Sequence, residues 1–463
     1  MNRTVDEEKL EALRKDPRPE SSAPAFTVIL PSSPQVPTPN REFLLETPIE
    51  GVSSVATVAK LAGWDTKVRD LRIGEDFEEV CADAANRGGV VAMPTYVDSY
   101  PVNRSVLKRV KELNPGLTTV VGGPLVSSLP EPLIRGLQAD YAVLREGEAT
   151  LLDLLDHLAA GGGADAARAI AGLGIRQGGA VSLTPERPQL NDLDVLPIPD
   201  LFLYPGVQKD PVIPELGLTT ARGCYGRCTF CFLNMKKLSY KTPARFREEV
   251  SDIVAKHKIG YFYVNDLTFT SKLDRTYQIC DVLKEFNITW SCSTRVERIK
   301  PEVLKYMHDS GCRDIWYGVE SLDQTVLELS NKRTKVEEIE YAVSETVKAG
   351  IKVMANLIVG LPGESEESLR KMMDFCRRTE VIPTSIKYLT PFPGTKIYDM
   401  AVERGFIPDH LRYIEGLAER KVNDVNDSII NLTDLPEERL REAYATLMQI
   451  REDRLKTFSE TGA

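Results

Sequence analysis

Several things are scarce in this chain, and each scarcity excludes something. Only four histidines occur in 463 residues, His157, His257, His308 and His410, all in or beside helical patterns. A histidine-built metal centre therefore has no local motif to rest on, and none of the four is assigned to catalysis. No uninterrupted apolar run is long enough to cross a bilayer, and the opening MNRTVDEEKLEALRKDPRPESSAP is charged and proline-bearing, unlike a secretory signal. The expectation is a cytoplasmic protein with no membrane partner. Clustered Lys and Arg are also missing: the net charge of −10 disfavours nucleic acid and would tolerate or attract a cationic small substrate. A disulfide framework is absent as well, since five of the eight cysteines (Cys81, Cys280, Cys292, Cys312, Cys376) are scattered singly, as core residues in a reducing compartment would be.

What is present is a globular composition, 42% hydrophobic and 27% charged, in a chain long enough for two domains. After a tail over 1–24, strands (AFTVILP, TKVRDL, GGVVAMP, LTTVVGG, DYAVLREGE) alternate with helices such as VSSVATVAKLAGWD and NRSVLKRVKELNPG. This predicts a doubly wound, Rossmann-like α/β domain over 25–160. A connecting segment without strong period covers 161–215. From 216 to 405 six strand–helix units follow, their strands at LGLTTARG, YFYVNDLTF, TWSCSTRV, DIWYGVES, KVMANLIVG and SIKYLTPF. Six parallel βα units predict a complete or three-quarters closed barrel, whose chemistry belongs at the C-terminal ends of the strands. Residues 406–463 are predicted as a helical C-terminal segment, in which LTDLPEERLREAYATLMQIREDRLKTF forms an amphipathic helix packed on the barrel.

The loop after the first barrel strand, TTARGCYGRCTFCFL, holds the other three cysteines, Cys224, Cys228 and Cys231. Arg222, Gly223, Gly226 and Arg227 around them describe an exposed loop rather than a core. Structural zinc would need a fourth ligand, which the neighbouring sequence does not supply. Thiolates also hold iron–sulfur clusters, and three ligands on a four-iron cluster leave one iron open to a group that is not protein.

C-x-x-x-C-x-x-C at this place, with Phe230 before the last cysteine, resembles the radical S-adenosylmethionine (SAM) superfamily. The resemblance implies that Cys224, Cys228 and Cys231 bind a [4Fe-4S] cluster, that SAM chelates the fourth iron, and that its reductive cleavage gives methionine and a 5′-deoxyadenosyl radical. It implies a small-molecule substrate, of natural-product or antibiotic type, and an external electron donor such as flavodoxin or ferredoxin. By position, Asn265 and Asp266 would meet the methionine amino group. Arg295 (STRVERI) and Glu320–Ser321 (YGVES) would meet the carboxylate and ribose, and Ile358 and Gly360 (NLIVGLPGES) would run past the adenine. LTPFPGTKIY resembles a sixth-strand end of this branch. Tyr225 stands at the rim, where many relatives have proline. Its phenol could bond a substrate hydroxyl or pass a proton, or its ring could pack on the first domain and shield the cluster.

The first domain resembles the cobalamin-binding domain of one branch of the superfamily, through TPIEGVSSVATVAKLAGWD, the loop after VVAMPTY, and VVGGPLVSSLPEPLI followed by YAVLREGEAT. It lacks the D-x-H-x-x-G motif, and Leu125 follows Pro124 where a histidine is common, so a corrinoid, if bound, would take no local histidine. Three readings stand: cobalamin-dependent C-methylation, which is preferred; cobalamin-free radical dehydration of a vicinal diol in an aminoglycoside-like substrate, a lyase reaction; and a metal-bound scaffold or sensor without turnover.

Overall fold

The computed structural model describes residues 3–19, 24–32, 47–232, 235, 237–419 and 430–461. Its first element is a helix, α1 (Val5–Lys15), opened by a capping box in which Thr4 and Glu7 satisfy each other's backbone N–H groups. The stretch expected to be a tail is therefore partly structured. β1 (Ala25–Leu30), α2 (Glu50–Leu61), β2 (Asp65–Asp70), α3 (Phe77–Arg87), β3 (Val90–Pro94), α4 (Tyr100–Leu113) and β4 (Thr118–Gly122) then alternate as predicted. α5 (Pro124–Ser128), α6 (Pro130–Leu137), β5 (Tyr141–Val143) and α7 (Glu148–Ala159) complete the winding. The strand order 2-1-3-4-5 reverses direction between β1 and β3, and in an open α/β sheet the crevice beyond the strand ends at such a switch point is where a ligand fits.

The expected linker contains more structure than its composition suggests. After α8 (Ala164–Ala167), β6 (Leu173–Gln177) and β7 (Ala180–Leu183) add two antiparallel strands, extending the sheet to seven. Their short lengths hide any alternation, but Gly178-Gly179 between them is a two-residue hairpin turn. Residues 190–209, including α9 (Pro205–Lys209), then form a largely apolar strap. Leu193, Val195, Leu201 and Tyr204 are buried in a core continuous from α2 and α7 to the second domain.

The second domain opens with β8 (Val212–Leu218) and the short ribbon β9 (Ala221–Arg222) and β10 (Ser239–Tyr240). α10 (Pro243–Lys256), β11 (Lys258–Val264), α11 (Leu273–Glu285), β12 (Trp290–Thr294), α12 (Pro301–Asp309) and β13 (Cys312–Glu320) follow. Next come α13 (Gln324–Leu329), α14 (Val336–Lys348), β14 (Lys352–Val359), α15 (Glu366–Arg378), β15 (Ile382–Tyr388) and α16 (Lys396–Glu403). The six long strands form one parallel sheet, β15-β14-β13-β12-β11-β8, with β8 and β15 at its two edges: a half-barrel. α17 (His410–Glu419) lies against the first domain's α4 and α6, and α18 (Glu437–Thr461) covers β15 and α15 with Leu440, Ala443, Tyr444 and Leu447.

Candidate active site

The three cysteines lie on the loop between β9 and β10. Gly223 enters this loop at φ +89°, and a Cβ there would meet the Lys237 carbonyl oxygen at 2.0 Å, so the ribbon closes only on glycine. Cys224 Sγ accepts from the Gly226 N–H at 3.3 Å and lies 3.4 Å from Thr268 Oγ1. The Arg295 guanidinium approaches Cys228 Sγ at 3.8 Å. Among the described residues no three His, Cys, Asp or Glu side chains converge as a single metal ion would require. A four-iron cube takes one thiolate per iron, and three cysteines outside any disulfide on one loop suit that demand.

Around the loop the strand ends form a ring. Arg295 bonds Glu297 through Nε at 3.0 Å, and donates to the Lys332 carbonyl and to Thr334 Oγ1 at 3.1 Å. Burial works against the Glu297 carboxylate, but the bonds from Arg295 and Thr334 outweigh it and hold its pKa below the ordinary value. Tyr225, 39% exposed, lays its ring under Arg295 (5.4 Å) and directs its hydroxyl at Glu297 Oε2 (3.4 Å). Burial, then the neighbouring Glu297, push its phenol up to about 12. The ring thus packs on the half-barrel's own arginine. Glu320 takes a left-handed φ of +66° at a bulge in β13 and pairs with Lys332 at 3.1 Å. Gly318 leaves that pair its space, since a Cβ there would meet Glu320 Oε1 at 2.6 Å. A non-glycine residue held in this conformation at a strand end is the kind of strain that concentrates at functional sites. Phe230 and Ile358 meet in one small apolar cluster with Leu361, Leu389 and Ile397.

Three expected contacts are placed differently. Asp266 is 1% exposed and its carboxylate is consumed at the foot of the cysteine loop, accepting from the Thr220 and Ala221 N–H groups at 2.7 Å and from Thr220 Oγ1 at 2.5 Å. The loop's backbone donors needed an acceptor, and Asp266 supplies it. Ser321 is fully buried, its Oγ accepting from the Asp323 N–H at 3.3 Å. Asn265 turns toward the first domain, 3.5 Å from Glu50 Oε2. Gly360, at φ +96°, gives its N–H to Glu364. That buried carboxylate keeps Oε1 without a partner, and burial pushes its pKa up to about 7.

Arg222, expected on an exposed loop, is enclosed between Glu146 and Glu148 of the first domain, at 3.0 and 2.7 Å. Burial opposes its charge, yet the two carboxylates outweigh that and hold it firmly protonated. Glu50 similarly accepts from the Thr219 N–H at 3.0 Å. Composition could not distinguish these latches from surface charge, although the close spacing of Glu146 and Glu148 was visible.

The latches frame a cavity of about 540 Å³ at the switch point of the first sheet. Its apolar depth is lined by Phe26, Val28, Val52, Val120, Val143 and Leu151, and its outer edge by Gly122, Gly123, Pro124 and Ser127. Arg222 and Gly223 close its far wall, so it abuts the cysteine loop. No histidine is among the described lining residues.

Comparison with known proteins gives two family matches. Residues 218–376 match the radical SAM superfamily and residues 41–155 the B12 binding domain. An uncharacterized methyltransferase of Pyrococcus horikoshii is 29% identical over 310 residues, covering 65% of this chain and 67% of its own. The anaerobic magnesium-protoporphyrin IX monomethyl ester cyclase of Rubrivivax gelatinosus is 26% identical, covering 77% of this chain and 68% of its own. In fold, the radical SAM methyltransferase TsrM of Kitasatospora setae, solved with cobalamin and a [4Fe-4S] cluster, superposes with a TM-score of 0.73 at 16% identity, over 93% of this chain and 91% of that one. Cysteine loop, half-barrel and switch-point cavity thus agree with the matches that cover them, and the chain belongs to the radical SAM superfamily, in the branch that carries an N-terminal B12-binding domain.

Proposed function

We propose that this enzyme is a cobalamin-dependent radical SAM methyltransferase acting on carbon in a small molecule. The observation that carries the reading is the cavity whose far wall, Arg222–Gly223, leads directly into Cys224. A volume of this size, apolar in depth with a glycine-rich rim, suits a large flat cofactor with a tail. Bound there, cobalamin would supply a transferable methyl group, while the cluster with SAM would supply the radical that opens a C–H bond.

The chain's own residues do the positioning. Cys224, Cys228 and Cys231 hold the cluster, and Asp266 fixes the backbone that carries them. Arg295 balances thiolate charge. Glu320, Ile358, Gly360 and Phe230 would form the wall against which SAM is held. The Arg222 latch excludes water between the two chambers. Tyr225, at the open rim, is the residue best placed to touch a substrate hydroxyl. The electron comes from an external donor of the flavodoxin or ferredoxin kind. No described histidine lines the cavity, so a bound cobalamin would find no imidazole among those residues.

Protein reconstituted anaerobically with iron, sulfide and hydroxocobalamin should retain a stoichiometric corrin absorption through gel filtration. Retention of the cluster absorption alone would remove cobalamin, and with it methylation by this route.

A further inference from the structure

The turn that follows β3 carries more fixings than a connection needs. Thr95, fully buried, gives its N–H to the Gly122 carbonyl at 2.7 Å and accepts from the Leu125 N–H at 3.3 Å, so the ends of β3 and β4 are tied together. Gly123, at φ +100°, permits that approach, since a Cβ there would meet the Thr95 carbonyl oxygen at 3.0 Å. Asn103 of α4, also fully buried, donates to the Pro94 carbonyl at 2.8 Å and to Thr95 Oγ1 at 2.9 Å. Tyr96 comes next and is held on both sides by one hydroxyl: Ser99 Oγ accepts from its N–H at 3.0 Å and donates to its carbonyl at 3.2 Å. Ser99 is itself buried.

Tyr96 lines the switch-point cavity, and its hydroxyl bonds to no described residue. The other polar side chains of that wall are committed within the protein. The latches to the second domain use up Glu50, Glu146, Glu148 and Arg222. Arg145 pairs with Glu186 at 2.6 Å, and Ser127 donates to the Gly123 carbonyl at 2.9 Å. Burial raises the Tyr96 pKa above the ordinary tyrosine value, so the phenol keeps its proton at neutral pH and can donate a hydrogen bond. A fixed backbone with one uncommitted polar group is what a binding wall requires, because little freedom is left to lose when the ligand arrives.

We infer that Tyr96 is a cobalamin-contacting residue, its hydroxyl donating to an amide oxygen on the rim of the corrin ring and not to the nucleotide tail. The inference rests on the reading of this cavity as the cobalamin site. The assignment to the ring end follows from place. The apolar depth of the cavity suits the aromatic base of the tail, whereas Tyr96 stands two residues past the end of β3 and is tied through Thr95 to Gly122 at the outer edge. A corrin ring carries amide groups around its rim, and their carbonyls accept what a neutral phenol donates. Ser99, which holds the Tyr96 backbone, is then a positioning residue.

The test is absorbance titration of the full chain with aquocobalamin, and separately with aquocobinamide, which keeps the ring and its amides but has no nucleotide. Tyr96→Phe keeps the aromatic ring and should weaken both by about 3- to 10-fold, as loss of one neutral hydrogen bond does. Ser99→Ala leaves the phenol but frees the backbone that holds it, and should weaken both by about 2-fold while adding nothing in the Tyr96→Phe background. Equal binding by the parent and Tyr96→Phe would overturn the contact. So would any result that confines the loss, or binding by the parent, to cobalamin, since recognition would then lie on the tail. Full additivity of the two replacements would remove Ser99 from its positioning role. A parent that binds neither corrinoid would instead end the cobalamin reading of the cavity, and the inference with it, so the two failures are told apart.

Discussion

The two chambers that meet at Arg222 are built on opposite plans. The cavity of the first domain is defined by shape: its depth is aliphatic and aromatic, and the carboxylates at its lip are spent on latches to the second domain. The rim of the half-barrel is defined by charge and by ligating atoms, with Arg295, Glu297, Glu320 and Lys332 knitted around three thiols. A ligating site must hold particular atoms at particular spacing, whereas a site that recognises by shape can be walled by many combinations of apolar residues. The first kind therefore marks a sequence sharply and the second faintly.

This contrast can be broken at three points, in descending order of effect. Replacing Cys224, Cys228 and Cys231 together with Ala should abolish the iron–sulfur absorption and all 5′-deoxyadenosine formation, while leaving corrin uptake by the first chamber in place. Cys81→Ala, Cys280→Ala and Cys376→Ala should each keep the cluster. Cluster absorption surviving the triple replacement would end the assignment.

At the junction, Arg222→Met leaves Glu146 and Glu148 facing each other without their cation. Breaking a buried ion pair from one side costs about 3–5 kcal/mol, so denaturant unfolding should shift by that amount. The loss should be smaller at acid pH, because burial already raises the Glu146 pKa and a protonated Glu146 no longer repels Glu148. A shift below about 1 kcal/mol would mean that the latch is solvated.

The smallest effect concerns Glu364. Its folded-state pKa, about 7, lies above the ordinary 4.5, so burial penalises the charged form. The penalty is absent below about pH 4.5, grows as the pH rises to about 7, and is complete above that, at no more than about 3 kcal/mol. Protein without cofactors should lose thermal stability over that window, and Glu364→Gln should flatten the loss. An unchanged slope would place the titration elsewhere.

Much of the second domain was legible because each strand announces itself by composition and each strand end by a short motif. The cysteine loop and the residues Phe230, Arg295, Glu320 and Ile358 stand at or beside the C-terminal ends of the strands, as their place in the sequence implies. The side chains of Asp266 and Ser321 are turned to other partners, because a motif gives a position along the chain and not the direction of a side chain, and the backbone donors of the loop claimed the nearer acceptor. β6 and β7 were missed because strands of five and four residues are too short to show a period, so only the Gly178-Gly179 turn could have revealed them. Arg222 was misjudged because its partners lie about 75 residues earlier in the chain, at separations that local pattern cannot see.

The first helix has a consequence for how the protein is made. Glu7 of α1, 1% exposed, accepts from the backbone N–H groups of Asn191 and Asp192 at 2.6 and 3.0 Å, across 184 and 185 residues. At ~5–20 residues per second, roughly 10–40 s separate the synthesis of the two halves of this clasp. Throughout that interval α1 lacks the partner of its buried carboxylate, so the strap must emerge before the clasp can close. Pausing near residue 190 would lengthen the time for which that clasp stays open.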